Sequence, residues 1–134
     1  MAFHAGQTFL YPLGENVGTA HLWVIATEPN DAGLFAFVSF TSLKGAKDQT
    51  VILRKGDHPF LKWDTCIAYA MAEISHVDKL QGFIDARVAK PHADTSPGIL
   101  EEIVAGFAAS DFTRRRIAQF VKEAQRAKKD ASPI

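Results

Sequence analysis

Residues 34–80 read LFAFVSFTSLKGAKDQTVILRKGDHPFLKWDTCIAYAMAEISHVDKL, and the reading of this stretch decides the fold. Leu34 to Phe40 is almost wholly apolar and rich in aromatic side chains, which fits a strand on a pleated, buried surface. It runs into a Phe40-Thr41-Ser42 step and then a Lys44-Gly45 loop. Thr50 to Arg54 predicts a short strand, and Gly56-Asp57-His58-Pro59-Phe60 interrupts the pattern. Cys66 to His76 is the ambiguous part. Ile67, Tyr69, Met71 and Glu73 alternate with Ala68, Ala70, Ala72 and Ile74, as in a strand. The same alanines favour a helix, and the residues by themselves leave the two nearly balanced.

Working outward, Thr8 to Tyr11 predicts a short strand stopped by Pro12 and Gly14. His21 to Thr27 (HLWVIAT) is nearly all apolar and reads as a strand buried on both faces. Pro29-Asn30-Asp31-Ala32-Gly33 is a turn cluster that joins it to Leu34–Phe40 as a hairpin. Toward the other end, Lys90 to Pro97 reads as a linker. Ser96-Pro97 then predicts a helix start, with Pro at the first helical position, where its missing N–H costs nothing. Leu100, Ile103, Val104 and Phe107 follow at helical spacing. Ser110 or Asp111 is the expected cap of a second helix, with Ile117, Phe120, Val121 and Ala124 as its apolar stripe and a fraying tail from Lys128. Strands first and helices after predict an α+β fold.

The chain has 134 residues, 47% of them apolar, enough for one domain with a real core and against general disorder. Fifteen basic side chains balance fifteen acidic ones, so any nucleic-acid site has to be a local patch. One cysteine cannot form an internal disulfide, which fits a reducing cytoplasm. The first residues, MAFHAGQTFLYP, lack the basic and apolar regions of a signal peptide. No apolar run approaches the roughly 20 residues that span a bilayer. The five histidines have no metal-ligand spacing and no phosphate-binding glycine motif is present, so neither a metal nor a cofactor is expected.

The order of these features resembles the MazF/PemK (Kid-like) toxin family. In that family a strand also ends in Thr-Thr or Thr-Ser, here Thr41-Ser42. Its last barrel strand also leads into a Val/Ile-Asp-Lys step, here Val77-Asp78-Lys79-Leu80. The resemblance covers roughly residues 6–80 and decides Cys66–His76 as a strand. It implies a small SH3-like β-barrel over 1–90; the C-terminal helical pair read from the residues, 91–134, is longer than the family's usual ending and is expected to pack on that barrel as part of one compact domain. It also implies a homodimer, an antitoxin-like partner, and metal-independent cleavage of single-stranded RNA by attack of the ribose 2′-OH on the adjacent phosphate. That reaction needs a base, an acid and a charge stabiliser held together.

The resemblance places the strand-end Thr41 in the RNA groove, with His21 at the position where the family carries Arg. His58, beside Asp57, is a third candidate for proton transfer near neutral pH. Ser42, Lys44, Lys55 and Lys62 are the candidate RNA contacts, through hydroxyls and charge. The family's acid–base pair on the last strand is missing. Ile67 to Glu73 holds no Arg, and Glu73 is its one acid. Plainer roles exist for each residue: Thr41 and Ser42 as turn-bonding hydroxyls, His21 as a structural histidine, Gly56–Phe60 as a tight turn. Arg114-Arg115-Arg116 opens the last helix against its macrodipole, which points to an anionic partner, while a solvated face is the simpler account. The competing function is a non-catalytic interaction module with an aromatic groove of Trp23, Phe60, Trp63 and Tyr69.

Overall fold

The computed structural model describes residues 2–13 and 16–130. Six strands form one antiparallel sheet: β1 (Thr8–Leu13), β2 (Asn16–Ile25), β3 (Leu34–Ser42), β4 (Ile52–Leu53), β5 (Thr65–His76) and β6 (Lys90–His92). Their spatial order is β4-β5-β3-β2-β1-β6. Three helices complete the fold: α1 (Val77–Asp85), α2 (Pro97–Ala109) and α3 (Arg115–Asp130). The result is an α+β protein whose sheet curls into a half-barrel.

Cys66–His76 is indeed strand, but its alternation does not run through. On β3, Phe37 faces Glu73 and Ser39 faces Ala68, so a bulge in β5 absorbs the extra residues. A shift of odd length reverses which side chains face which side. Ile67 and Tyr69 before the bulge therefore share one core with Ala72 and Ile74 after it. Met71 is released to solvent.

The two faces of the sheet carry separate cores. Leu22, Val24, Val38, Phe40, Ile67 and Tyr69 pack against α2 and α3 through Ile103, Phe107, Ile117 and Val121. The other face stacks Phe9, Trp23, Phe35 and Phe37 on α1 through Leu80. The Tyr69 hydroxyl donates to the Ile103 carbonyl (2.7 Å), which satisfies its buried O–H. A methyl on Gly106 would lie 1.9 Å from that hydroxyl, so α2 needs glycine there to dock. Arg114 adds one bond from its guanidinium to the Ala72 carbonyl. Four buried apolar side chains at roughly 1.5–3 kcal/mol each dominate the docking over that single bond.

Several expectations need correction. Pro12 does not stop β1, which runs on to Leu13, while Gly14 lies outside the described residues, and β2 spans Asn16–Ile25 rather than His21–Thr27. Val77-Asp78-Lys79-Leu80 opens helix α1: the His76 ring Nδ1 accepts the Asp78 N–H (3.0 Å) and so caps it. The expected linker contains β6, which pairs Thr8–His92 and Leu10–Lys90 along β1. Pro91 is tolerated because β6 is an edge strand. Ser110 terminates α2 rather than capping α3, which begins only at Arg115. β4 is two residues long, not five.

Candidate functional site

β3 ends at the rim of the sheet, where Thr41 and Ser42 pair with Cys66 and Thr65 of β5. The ladder continues one step further, since the Leu43 N–H donates to the Asp64 carbonyl (3.1 Å). The chain then turns through Lys44 and Gly45, the latter at φ +80°, a left-handed conformation that favours glycine. Asp48 ties the loop down. Its Oδ1 accepts the Thr50 N–H (3.1 Å) and hydroxyl (2.7 Å), and its Oδ2 accepts the Ser110 hydroxyl (2.7 Å).

Two adjoining hollows flank this loop. One, of about 350 Å³, is lined by Thr41, Ser42, Lys44, Lys47, Asp48 and Phe112, with Ala68 and Ala70 of β5 behind them. The other, of about 450 Å³, is lined by Ser42, Leu43, Lys44, Trp63 and Asp64. Ser42 and Lys44 belong to both. Among the described residues, neither Lys44 nor Lys47 has a carboxylate within ion-pair distance. The two acids at the walls are already engaged: Asp48 as above, and Asp64 by the Arg54 guanidinium at 2.8 Å. The Arg54 hydrogen bond, aided by the Lys55 N–H, holds the Asp64 carboxyl below the usual range. Among the described residues the hollows thus present two ammonium groups without ion-pair partners; Arg54 neutralises Asp64, whereas Asp48, held by neutral donors, keeps its negative charge on the wall of the first hollow.

The other sequence candidates sit as follows. His21 on β2 is half-buried, with Nδ1 3.4 Å from the Phe40 carbonyl, the residue before Thr41. It stands beside the segment that carries the groove hydroxyls. His58 lies elsewhere: it is 1% exposed and packed between the two edges of the sheet. Its Nε2–H donates to the Ala93 carbonyl (2.5 Å), just after β6, and its Nδ1 accepts the Phe60 N–H (3.0 Å). The Thr8 hydroxyl of β1 donates to the same carbonyl (2.5 Å). Burial pushes His58 below its ordinary pKa. It is a neutral clasp that fastens the loop after β4 to the far edge of the curled sheet.

Lys55 and Lys62 are exposed but line neither hollow. The arginine run is divided, with Arg114 bonded to the sheet while Arg115 and Arg116 face solvent. The aromatic groove does not form: Trp23 and Tyr69 are buried in opposite cores, Phe60 is half-buried, and Trp63 alone of the four is exposed. Cys66 is buried and its thiol is pushed up by that burial, so it is poorly nucleophilic. No group of metal-ligating side chains occurs among the described residues, and no described helix is long and apolar enough to cross a membrane.

The residues that sequence reasoning missed at the site are Lys47, Asp48 and Phe112. Phe112 stands exposed in the turn between α2 and α3, and no local sequence signal marks it as part of this site.

Comparison with family models, with curated proteins and with solved structures finds no match.

Proposed function

We propose that the two adjoining hollows hold single-stranded RNA and that the chain is a toxin-type protein of the MazF/PemK kind. The observation that carries this is Lys44, an ammonium with no ion-pair partner among the described residues, which lines both hollows together with Ser42, next to Thr41. A phosphate between two nucleotides is the group that matches one cation and two hydroxyl donors. The chain as a whole is neutral, so affinity would come from this patch and fall as salt rises. The exposed Arg115 and Arg116 then serve an anionic partner, which in this reading is an antitoxin-like peptide.

A second reading adds cleavage, and His21 favours it. The His21 imidazole, which lines neither hollow but stands beside Phe40–Thr41, would take the proton from a ribose 2′-OH as that oxygen attacks the adjacent phosphorus. The P–O5′ bond breaks and the 5′-oxygen takes a proton from solvent water, giving a cyclic 2′,3′-phosphate and a 5′-hydroxyl. Lys44 offsets the charge that builds on the phosphate oxygens. His58 takes no part, because both its nitrogens are engaged in the sheet clasp.

Incubation with mixed-sequence single-stranded RNA in EDTA tests both readings. Discrete fragments that vanish in folded His21→Ala or Thr41→Ala establish cleavage. Intact RNA that is nevertheless bound establishes a binding protein without turnover. RNA neither bound nor cut by folded protein overturns the proposal.

A further inference from the structure

Two aromatic rings stand in solvent at the walls of this site. Trp63 is 63% exposed and Phe112 is 45% exposed, whereas the aromatic side chains of the sheet are packed in its cores. Trp63 lines the hollow on one side of Lys44 and Phe112 the hollow on the other. A ring left in water at one wall of a hollow has a free π-face, and an aromatic face is what an unstacked base requires.

The backbone that carries each ring is fastened by hydrogen bonds. The Phe112 N–H donates to the Ser110 hydroxyl oxygen (3.1 Å), and that hydroxyl donates to Asp48 (2.7 Å). Asp48 in turn fixes the loop that carries Lys44 and Lys47. The α2–α3 turn is therefore fastened to the opposite wall of its own hollow. On the other side, the Trp63 carbonyl accepts the Thr65 hydroxyl (2.9 Å), and Asp64 is pinned by Arg54. Platforms positioned before ligand arrives lose little entropy on binding.

We propose that the two hollows take two successive nucleotides of a single strand, one base stacked on Phe112 and the next on Trp63, with the phosphate between them on Lys44. This rests on the RNA reading above and adds its register. Charge complementarity names the occupant: among the described residues Lys44 and Lys47 have no ion-pair partner and Arg54 pairs Asp64, so the two ammonium groups outweigh the one negative charge that Asp48, held by neutral donors, leaves on the wall of the first hollow. Each hollow lies toward the small end of ligand pockets, the size for one planar group rather than a folded partner. Phe112 has no hydrogen-bonding group, so the stacking contact itself does not discriminate between bases. The helical pair is then part of the RNA site, because it supplies one of the two platforms.

The test is fluorescence anisotropy of a short labelled single-stranded RNA, against a strand of equal length and charge carrying abasic sugars. Wild type is expected to bind the base-bearing strand at least tenfold more tightly. Phe112→Ala and Trp63→Ala should each lose about tenfold on that strand and almost nothing on the abasic one. Trp63→Phe should retain most of the affinity, while Lys44→Ala should weaken both strands alike and reduce the salt dependence. Thermal unfolding of each variant confirms its fold. RNA bound equally well with and without bases, or by the two alanine variants as by wild type, sinks the stacking proposal and leaves the RNA reading standing. No binding of either strand by wild type overturns both.

Discussion

His58 and Lys44 come from similar loops, each a short polar stretch after a strand, and the fold uses them in opposite ways. Around His58 every polar atom has a partner: Nε2 meets Ala93, Nδ1 meets Phe60, and Thr8 shares the Ala93 carbonyl. Lys44 and Ser42 line both open hollows, and among the described residues Lys44 has no ion-pair partner, while the nearby carboxylates are hydrogen-bonded. A buried polar group that is fully paired holds structure together, and an exposed one left unpaired is available to a ligand. The presence of a histidine therefore says less about chemistry than the number of its free valences.

The largest break in that comparison is His58→Ala. It removes the clasp between the edges of the sheet, opens a cavity and leaves the Phe60 N–H without its acceptor. The expected cost is about 3 kcal/mol, read as a lowered midpoint in urea. Affinity for RNA, measured on the fraction still folded, should hardly move. His58→Gln keeps an N–H donor and should recover part of the loss. If His58→Ala left stability intact and abolished RNA binding, the two regions would have to exchange roles.

A smaller effect follows from pH. Burial, reinforced by His92, holds His58 below its ordinary value against the upward pull of the Ala93 carbonyl and Asp94. Its folded pKa is thus under the roughly 6.5 of an unfolded histidine, and below that pH the unfolded chain binds the proton more readily. His58 then contributes its full share of stability above about pH 6.5, and that share is lost as pH falls through the folded value. Urea midpoints compared between pH 7.5 and 5.5 should drop further for wild type than for His58→Gln, which has nothing to titrate there. Equal drops in both would remove His58 as the source.

What the chain discloses on its own follows the range of the interactions involved. Strand β3 and helix α2 are local: an apolar aromatic run, and a Ser96 cap with Pro97 at the first position, announce them without help. Helix α1 is hidden because its cap is a histidine ring, outside the usual set of serine, threonine, aspartate and asparagine. Strand β6 is hidden because Pro91 reads as a breaker wherever the edge position is unknown. At the site, Thr41, Ser42 and Lys44 were legible as a polar strand end. Phe112 was not, because what brings it there is a bond between Ser110 and Asp48, 62 positions apart. The clasp was invisible for the same reason, since His58 and Ala93 are 35 positions apart.

Ser110→Ala tests whether the open region borrows any rigidity from paired groups of its own. The substitution deletes the bond to Asp48 and the acceptor for the Phe112 N–H, at an expected cost of about 1–2 kcal/mol. The α2–α3 turn would no longer be tied to the Lys44 loop. RNA affinity should fall by part of the loss seen for Phe112→Ala, and the two effects should not add, since they act on one contact. Strict additivity would mean that Phe112 is held by something other than Ser110.

The smallest effect on the fold is expected where the effect on binding is pronounced. Lys44→Ala removes an exposed side chain with no ion-pair partner among the described residues, so stability should stay within about 0.5 kcal/mol of wild type. RNA affinity at low salt should fall, and the slope of log affinity against log salt should flatten by about 0.7, the share of one phosphate on a single strand. The same substitution at Lys62, which lines neither hollow, should change neither quantity by a comparable amount. If Lys62→Ala flattened the slope as much as Lys44→Ala, the charge would be acting as a diffuse field, and the position between the hollows would carry no special meaning.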